Sequence, residues 1–228
     1  MQKKFYAIAI DGPAGAGKST MARQLARELG FVYVDTGAIY RSVAYFMLLM
    51  GISPKDTDGV TRLIDDVNLQ IVYAGGAQRM ILNGQDITDE LRTPEISKAA
   101  SLVSAQKVVR SFLLDMQRDV ARTHNVIMDG RDIGTVVLPR ADVKIYLTAS
   151  AEVRANRRLL ELQQKGEKTS YAKVLQEIMQ RDKQDMARPI APLKKAADAV
   201  ELDTSALSID QSVAAMEEII GRKLPSCR

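Results

Sequence analysis

Nine residues constrain this chain more than any others: Gly12-Pro13-Ala14-Gly15-Ala16-Gly17-Lys18-Ser19-Thr20. They fit the spacing G-x-x-x-x-G-K-[ST] without a gap. Before them, Phe5-Tyr6-Ala7-Ile8-Ala9-Ile10 is an apolar run of strand length. After them, Met21, Ala22, Leu25, Ala26 and Leu29 recur at helical spacing, and Gly30 supplies a stop. A buried strand, a glycine loop and a helix N-terminus in that order make an anion cradle. Glycines let backbone N–H groups approach phosphate oxygens, and the helix start adds unpaired donors and a positive dipole end. Lys18 is placed to reach the outer phosphates of a nucleoside triphosphate, and the Ser19 hydroxyl to hold Mg²⁺. The plain alternative, a glycine turn with no ligand, does not need the lysine and hydroxyl in those places.

The rest of the chain alternates strands and helices. Phe31–Val34 reads as a second strand, and Asp35 or Thr36 as the N-cap of an apolar helix running to about Met50. Arg41 sits in the first turns of that helix. A guanidinium there needs an ion-pair partner or an anionic ligand. Residues 125–129, 143–147 and 199–202 supply three more strands, and Asp129 ends the first of these. The expected fold is therefore α/β: a five-stranded parallel sheet with helices on both faces, in three layers.

One stretch breaks the alternation. Leu69, Ile71 and Tyr73 change to period two, Gly75-Gly76 marks a turn, and Asn83-Gly84 after Met80-Ile81-Leu82 is a hairpin signal. Residues 67–103 are thus expected to form a small antiparallel insert in an otherwise single domain over 1–228. Two helices, Ser150 to about Lys165 and Ser170 to about Met186, meet at Gly166. The second has an apolar stripe of Tyr171, Val174, Leu175, Ile178 and Met179. Arg181, Asp185 and Arg188 lie beside it at i, i+4 and i+7. Such a face is either a solvated ion-pair surface or part of a lid, spanning 155–188, that clamps phosphates. Arg157 and Arg158 offer further cations from the preceding helix. A closing amphipathic helix runs from Ser208 to about Gly221, and Lys223 to Arg228 reads as a loose tail.

Composition narrows the function classes. Of 228 residues, 46% are hydrophobic and 26% charged, a globular balance with no apolar run long enough to span a bilayer. Met1-Gln2-Lys3-Lys4 leads straight into the first strand, so no signal peptide is expected. The one cysteine, Cys227, permits no internal disulfide, which fits a cytoplasmic protein. The net charge of +4 is spread among acids without a basic run, so small anionic substrates are expected rather than nucleic acid or membrane. The one histidine, His124, stands at a helix end, and no triad or metal-ligand cluster can be built. An alcohol acceptor would call for a general base. A nucleoside monophosphate, with a second pKa of about 6, arrives already ionised and needs arginines instead.

Four segments, Gly12–Thr20, Asp35–Arg41, Asp129–Val137 and Arg181-Asp182-x-x-Asp185-x-x-Arg188, together resemble the bacterial cytidylate kinases of the P-loop nucleoside monophosphate kinases. The match runs in order over nearly the whole chain, and the insert resembles the monophosphate-binding insert of the long form. The resemblance implies a P-loop kinase fold and transfer of the ATP γ-phosphoryl group to CMP or dCMP with Mg²⁺. It implies that residues Gly12 to Thr20, with Arg157 and Arg158, bind the ATP phosphates, and that Ser19 and, through water, Asp129 hold the metal. Arg41 and Arg131 resemble ligands of the acceptor phosphate. Ser101, Arg110 and Asp132 resemble the cytosine contacts, and Asp185 the ribose contact. Thr36, where some relatives carry serine, keeps the hydroxyl of an acceptor contact. Arg181 and Arg188 resemble phosphate-contacting arginines, which with Lys18 and Arg131 form the catalytic set. Cytosine presents an N4 amino donor where uracil has an acceptor, so a carboxylate at Asp132 favours cytosine. A monomer is expected. Two other readings stay open: a kinase of this fold with another acceptor, and a nucleotide-dependent switch. The guanine motif N-K-x-D of a GTPase does not occur.

Overall fold

The computed structural model describes residues 5–164 and 166–224. Cys227, the tail beyond Leu224, the first four residues and the expected helix end at Lys165 lie outside the described residues. In chain order the elements are β1 (Ala7–Asp11), α1 (Lys18–Leu29), β2 (Val32–Asp35), α2 (Thr36–Leu49), α3 (Thr57–Leu63), β3 (Leu69–Ala74), β4 (Ala77–Leu82), β5 (Gln85–Asp86), α4 (Pro94–Val103), α5 (Lys107–Thr123), β6 (Val126–Gly130), β7 (Val143–Thr148), α6 (Ala151–Gln164), α7 (Tyr171–Met186), β8 (Val200–Asp203) and α8 (Ile209–Lys223). The five-stranded sheet has the order β2-β6-β1-β7-β8. Pairing is parallel between β1 and β6, β1 and β7, and β7 and β8. Every residue of β1 and β6 is buried, so both faces of the sheet centre are covered, as parallel strands require. The expected α/β architecture with a small antiparallel sheet is the one observed.

The chain divides into two compact units. The described residues up to Val32, with those from His124 on, form the first; Tyr33–Thr123 form the second. In the first unit, α1 packs against β6 and α8. Its Met21, Ala22, Leu25 and Ala26 are buried, the face that the helical spacing marked. The helices α6 and α7 pack on each other through Ala155, Leu162, Val174 and Ile178, with Tyr171 and Leu175 alongside. Met179 is not part of that seam and stands 57% exposed. One position past Ile178 is a rotation of about 100° on a helix, which carries Met179 off the stripe. The closing helix α8 continues through Lys223, two residues beyond the expected end. Ser208 and Gln211 form a capping box at its start.

In the second unit, α2 starts on Asp35, whose carboxylate accepts from the Ala38 N–H. After Pro54 comes a short helix: α3 stops at Leu63 and a 3₁₀ turn covers Ile64–Asp66. The strands β3, β4 and β5 form the antiparallel sheet, with Gly75-Gly76 and Asn83-Gly84 as its two-residue turns. Both turns take positive φ at both central positions, the geometry that matches strand twist. Thr93 caps α4 with Pro94 in the first helical turn. A break at Ser104–Gln106 separates α4 from α5, which begins at Lys107.

Candidate active site

The phosphate loop lies between β1 and α1, as the spacing dictates. A Cβ at Gly12 would sit 1.9 Å from the Leu147 carbonyl oxygen of the neighbouring strand, so no other residue fits. Gly17 is the N-cap of α1 at φ 87°, and no side chain caps the helix. Its first-turn N–H groups are therefore left for an anion. Lys18 is buried, and its ammonium donates to the Pro13 carbonyl at 2.7 Å. Burial pushes its pKa well below the ordinary lysine range, and the like charges of Arg131 and Arg181 push the same way. Asp129 and Asp11 oppose this. A lysine so placed gains from any added negative charge. The Ser19 hydroxyl donates to Asp129 Oδ2 at 2.8 Å, across the β1–β6 pairing that sets Ile10 beside Asp129.

Around this loop the first unit gathers cations on one buried carboxylate. Asp185 is 1% exposed. It accepts from Arg131 Nε at 2.9 Å and from the Arg188 guanidinium. Burial raises its pKa, but Arg131, Arg188 and Arg181 outweigh that and hold it below the usual carboxylate value. Arg181 and Asp185 share a face of α7, as expected. Arg188 does not lie on the helix, because α7 ends at Met186 and Ala187 is its C-cap. Pro189 disfavours a helical conformation at Arg188, and the side chain reaches back to Asp185 from beyond the helix.

The arginines of α6 divide differently from the sequence reading. Arg157 donates to the Thr204 carbonyl at 2.8 Å and lies near its hydroxyl. Arg158 pairs with Glu161 on a half-exposed surface. The α6 cation that touches the phosphate loop is Arg154, which sequence reasoning passed over. It is 5% exposed, donates to the carbonyls of Ala14 and Ala149, and pairs with Asp182 at 2.7 Å. It thereby ties the loop to α7 at the residue beside Arg181. Asp132 is buried in the turn that follows β6, where its carbonyl accepts from Val136 and Val137. That turn, Ile133–Val137, is a π-helical turn, a form common at functional sites.

In the second unit three helices converge. Thr36 is buried at the start of α2, and Arg41 pairs with Asp35 at 3.0 Å. Ser101 on α4 is buried, with its hydroxyl oxygen shielded from solvent. Arg110 on α5 is buried, donates to the Ser104 carbonyl at 3.1 Å and lies 5.6 Å over the Tyr40 ring. Tyr40 thus helps to orient a guanidinium from another helix.

Metal fit can be judged from the donors. Among the described residues no group of three His, Cys, Asp or Glu side chains could cage an ion alone. Ser19 and Asp129 are hard oxygen donors beside a phosphate cradle, the set that suits Mg²⁺ brought in with a nucleotide. No described helix is long and apolar enough to cross a membrane.

Comparison with known proteins agrees with this geometry. The family model "Cytidylate kinase" matches residues 8–222. The chain is 50% identical over 216 residues to the cytidylate kinase of Carboxydothermus hydrogenoformans, covering 95% of this chain and 97% of that one. It is 47% identical over 213 residues to that of Geobacter sulfurreducens, covering 93% and 91%. Among solved structures, an uncharacterised protein from Eubacterium ventriosum superposes with a TM-score of 0.54 at 12% identity, over 96% of this chain and 99% of that one. That likeness concerns the fold.

Proposed function

The chain belongs to the cytidylate kinase family, and from that membership we infer that it transfers the γ-phosphoryl group of ATP to CMP or dCMP, giving ADP and CDP or dCDP. The observation that carries the reading onto this chain's own residues is the setting of Lys18. A desolvated lysine beside an uncapped helix start, with Arg131 and Arg181 near enough to depress its pKa, describes a site built for several phosphate charges. Phosphoryl transfer needs little more than such positioning and charge neutralisation.

We propose the following roles. Residues Gly12 to Thr20 hold the ATP phosphates, with Lys18 on the outer ones. Arg131, Arg181 and Arg188 neutralise charge on the transferring group. Arg157 and Arg158 are the further donor-phosphate cations that the resemblance implies. The contacts to Thr204 and Glu161 would have to be given up for that role, whereas Arg154 already meets the loop. In the second unit Arg41 takes the acceptor phosphate, Thr36 a further acceptor contact, and Ser101 and Arg110 the base. In the first unit Asp132 takes the cytosine N4 amino group and Asp185 the ribose. Ser19 and, through water, Asp129 would hold Mg²⁺, which supplies charge neutralisation between phosphates when bound. Residues 67–103 act as the monophosphate-binding insert and 155–188 as a lid within a single kinase domain. The protein works as a cytoplasmic monomer on small nucleotides, not on nucleic acid or membranes.

No residue is needed as a general base, because the acceptor phosphate is ionised at neutral pH. The test follows the phosphorus atom. With γ-labelled ATP and CMP the label should appear in CDP. Label released as inorganic phosphate at the same rate with and without CMP would overturn the reading in favour of a hydrolytic switch.

A further inference from the structure

The end of β1 carries a residue that neither the phosphate loop nor the acceptor set accounts for. Asp11 closes a strand that is otherwise wholly apolar, and it is 4% exposed. Its two carboxylate oxygens accept separate backbone bonds, from the Ile133 N–H and the Gly134 N–H, each at 2.7 Å. Those two groups open the π-helical turn that follows Arg131 and Asp132. A second buried side chain lies against the same turn. Lys144, buried on β7, donates to the Pro139 carbonyl at 2.7 Å and to Asp198 at 2.8 Å. A Cβ at Gly134 would lie 3.1 Å from the Lys144 side chain and 3.3 Å from Asp11 Oδ2, so the turn is seated closely on both. A carboxylate held this far from water is costly, and burial raises its pKa to about 6 against the two backbone bonds. An apolar residue would serve the sheet better. What the aspartate adds is a fixed place for the backbone of one loop.

We propose that Asp11 is a positioning residue for acceptor recognition, setting the loop that carries Arg131 and Asp132 in register with the strand that leads into the phosphate loop. The inference rests on the reading of Asp132 as the group that selects cytosine. The chemistry requires an aspartate. Two inward N–H donors need two acceptor oxygens, and asparagine offers one acceptor and a donor that would face an N–H. Displacement of a substrate-contacting loop by about 1 Å can cost on the order of a hundredfold in rate.

The experiment compares Asp11→Asn, Gly134→Ala and Asp132→Ala in the full chain, with KM for CMP and for ATP, kcat, and the ratio of kcat/KM for CMP over UMP. Gly134→Ala disturbs the loop without touching the charge near Lys18, and so separates loop position from electrostatics. Expected for Asp11→Asn and Gly134→Ala is a fall of roughly tenfold or more in kcat/KM with CMP and a lower CMP-to-UMP ratio. KM for ATP should be unchanged in Gly134→Ala, which leaves the charge beside Lys18 in place. A purely structural role would raise both KM values together in Gly134→Ala with the CMP-to-UMP ratio unchanged, and that result overturns the proposal. An unchanged CMP-to-UMP ratio in both loop variants while Asp132→Ala loses it also overturns the proposal, leaving the reading of Asp132 intact. A ratio unchanged in Asp132→Ala itself overturns that reading, and the proposal with it.

Discussion

Asp185 offers a demanding test of how the cation cluster is held. Asp185→Asn keeps the side-chain shape and removes one charge from a residue that is 1% exposed and hydrogen-bonded to Arg131 and Arg188. Both guanidiniums then remain largely buried beside a neutral amide, with Arg181 adding a like charge. Removal of one member of a buried ion pair costs about 3–5 kcal/mol, because the partner is left uncompensated. For a chain of this size each kcal/mol moves the thermal midpoint by roughly 2–4 °C, so a drop of roughly 6–20 °C is expected. Urea unfolding followed by far-UV circular dichroism gives the free energy, and an unchanged m-value would show that the same surface unfolds. If the arginines serve phosphates, bound ligand should return part of the loss. At one fixed saturating concentration of ATP and CMP the variant should be stabilised by more than the wild type through a lower Kd, since simple linkage depends on [L]/Kd alone and gives about 2.7 kcal/mol at 100 Kd. A loss below about 1 kcal/mol would refute the claim that Asp185 is the anchor of the cluster, since exposed pairs contribute only that much.

Lys18→Ala should lower kcat by roughly 100- to 1,000-fold, the cost of losing one preorganised charge at a transition state, with a smaller change in KM for CMP. Steady-state kinetics with varied CMP at saturating ATP would show it. The two buried aspartates should affect stability against pH in opposite directions. Asp11, raised from 3.8 to about 6, binds its proton more tightly in the folded state. Its contribution is therefore fully present below pH 3.8 and is lost as pH rises through 6, a change on the order of 3 kcal/mol. Wild type minus Asp11→Asn, measured by urea unfolding across that range, should follow this slope; a flat difference would contradict the burial argument. Asp185, depressed below 3.8, should contribute fully above pH 3.8 and lose its effect only under more acid conditions. Limited proteolysis should show residues 67–103 and 155–188 protected by CMP with a non-hydrolysable ATP analogue, and equal cleavage with and without ligand would count against ordering of either segment.

Local rules made much of this fold legible. The strand–loop–helix around Gly12–Thr20, the capping of α2 by Asp35 and the Asn83-Gly84 hairpin depend on neighbours in sequence, and the structure has them where spacing places them. The differences arise where distant packing decides. Three arginines, Arg154, Arg157 and Arg158, stand within two turns of α6, and sequence alone does not say which face meets the phosphate loop. The docking of α6 beside Ala14 selects Arg154. Arg188 fits helical spacing with Arg181, yet Pro189 ends the helix first and a turn does the same work. Asp11 was hidden for another reason. A carboxylate at the end of an apolar strand was visible, but its partners lie more than a hundred residues away in Ile133 and Gly134. Arg110 over Tyr40 is likewise a meeting of two helices that no local pattern encodes.

The central claim is that the cations around Lys18 serve transfer to a cytosine nucleotide, and its most direct test is the rate of ADP formation from ATP and Mg²⁺ with CMP, dCMP, UMP, AMP, GMP or no acceptor in parallel. The account predicts turnover with CMP and dCMP, far less with UMP and the purine monophosphates, and almost none without an acceptor. Equal turnover with UMP or AMP would contradict the role given to Asp132, and turnover independent of any acceptor would contradict the kinase assignment itself.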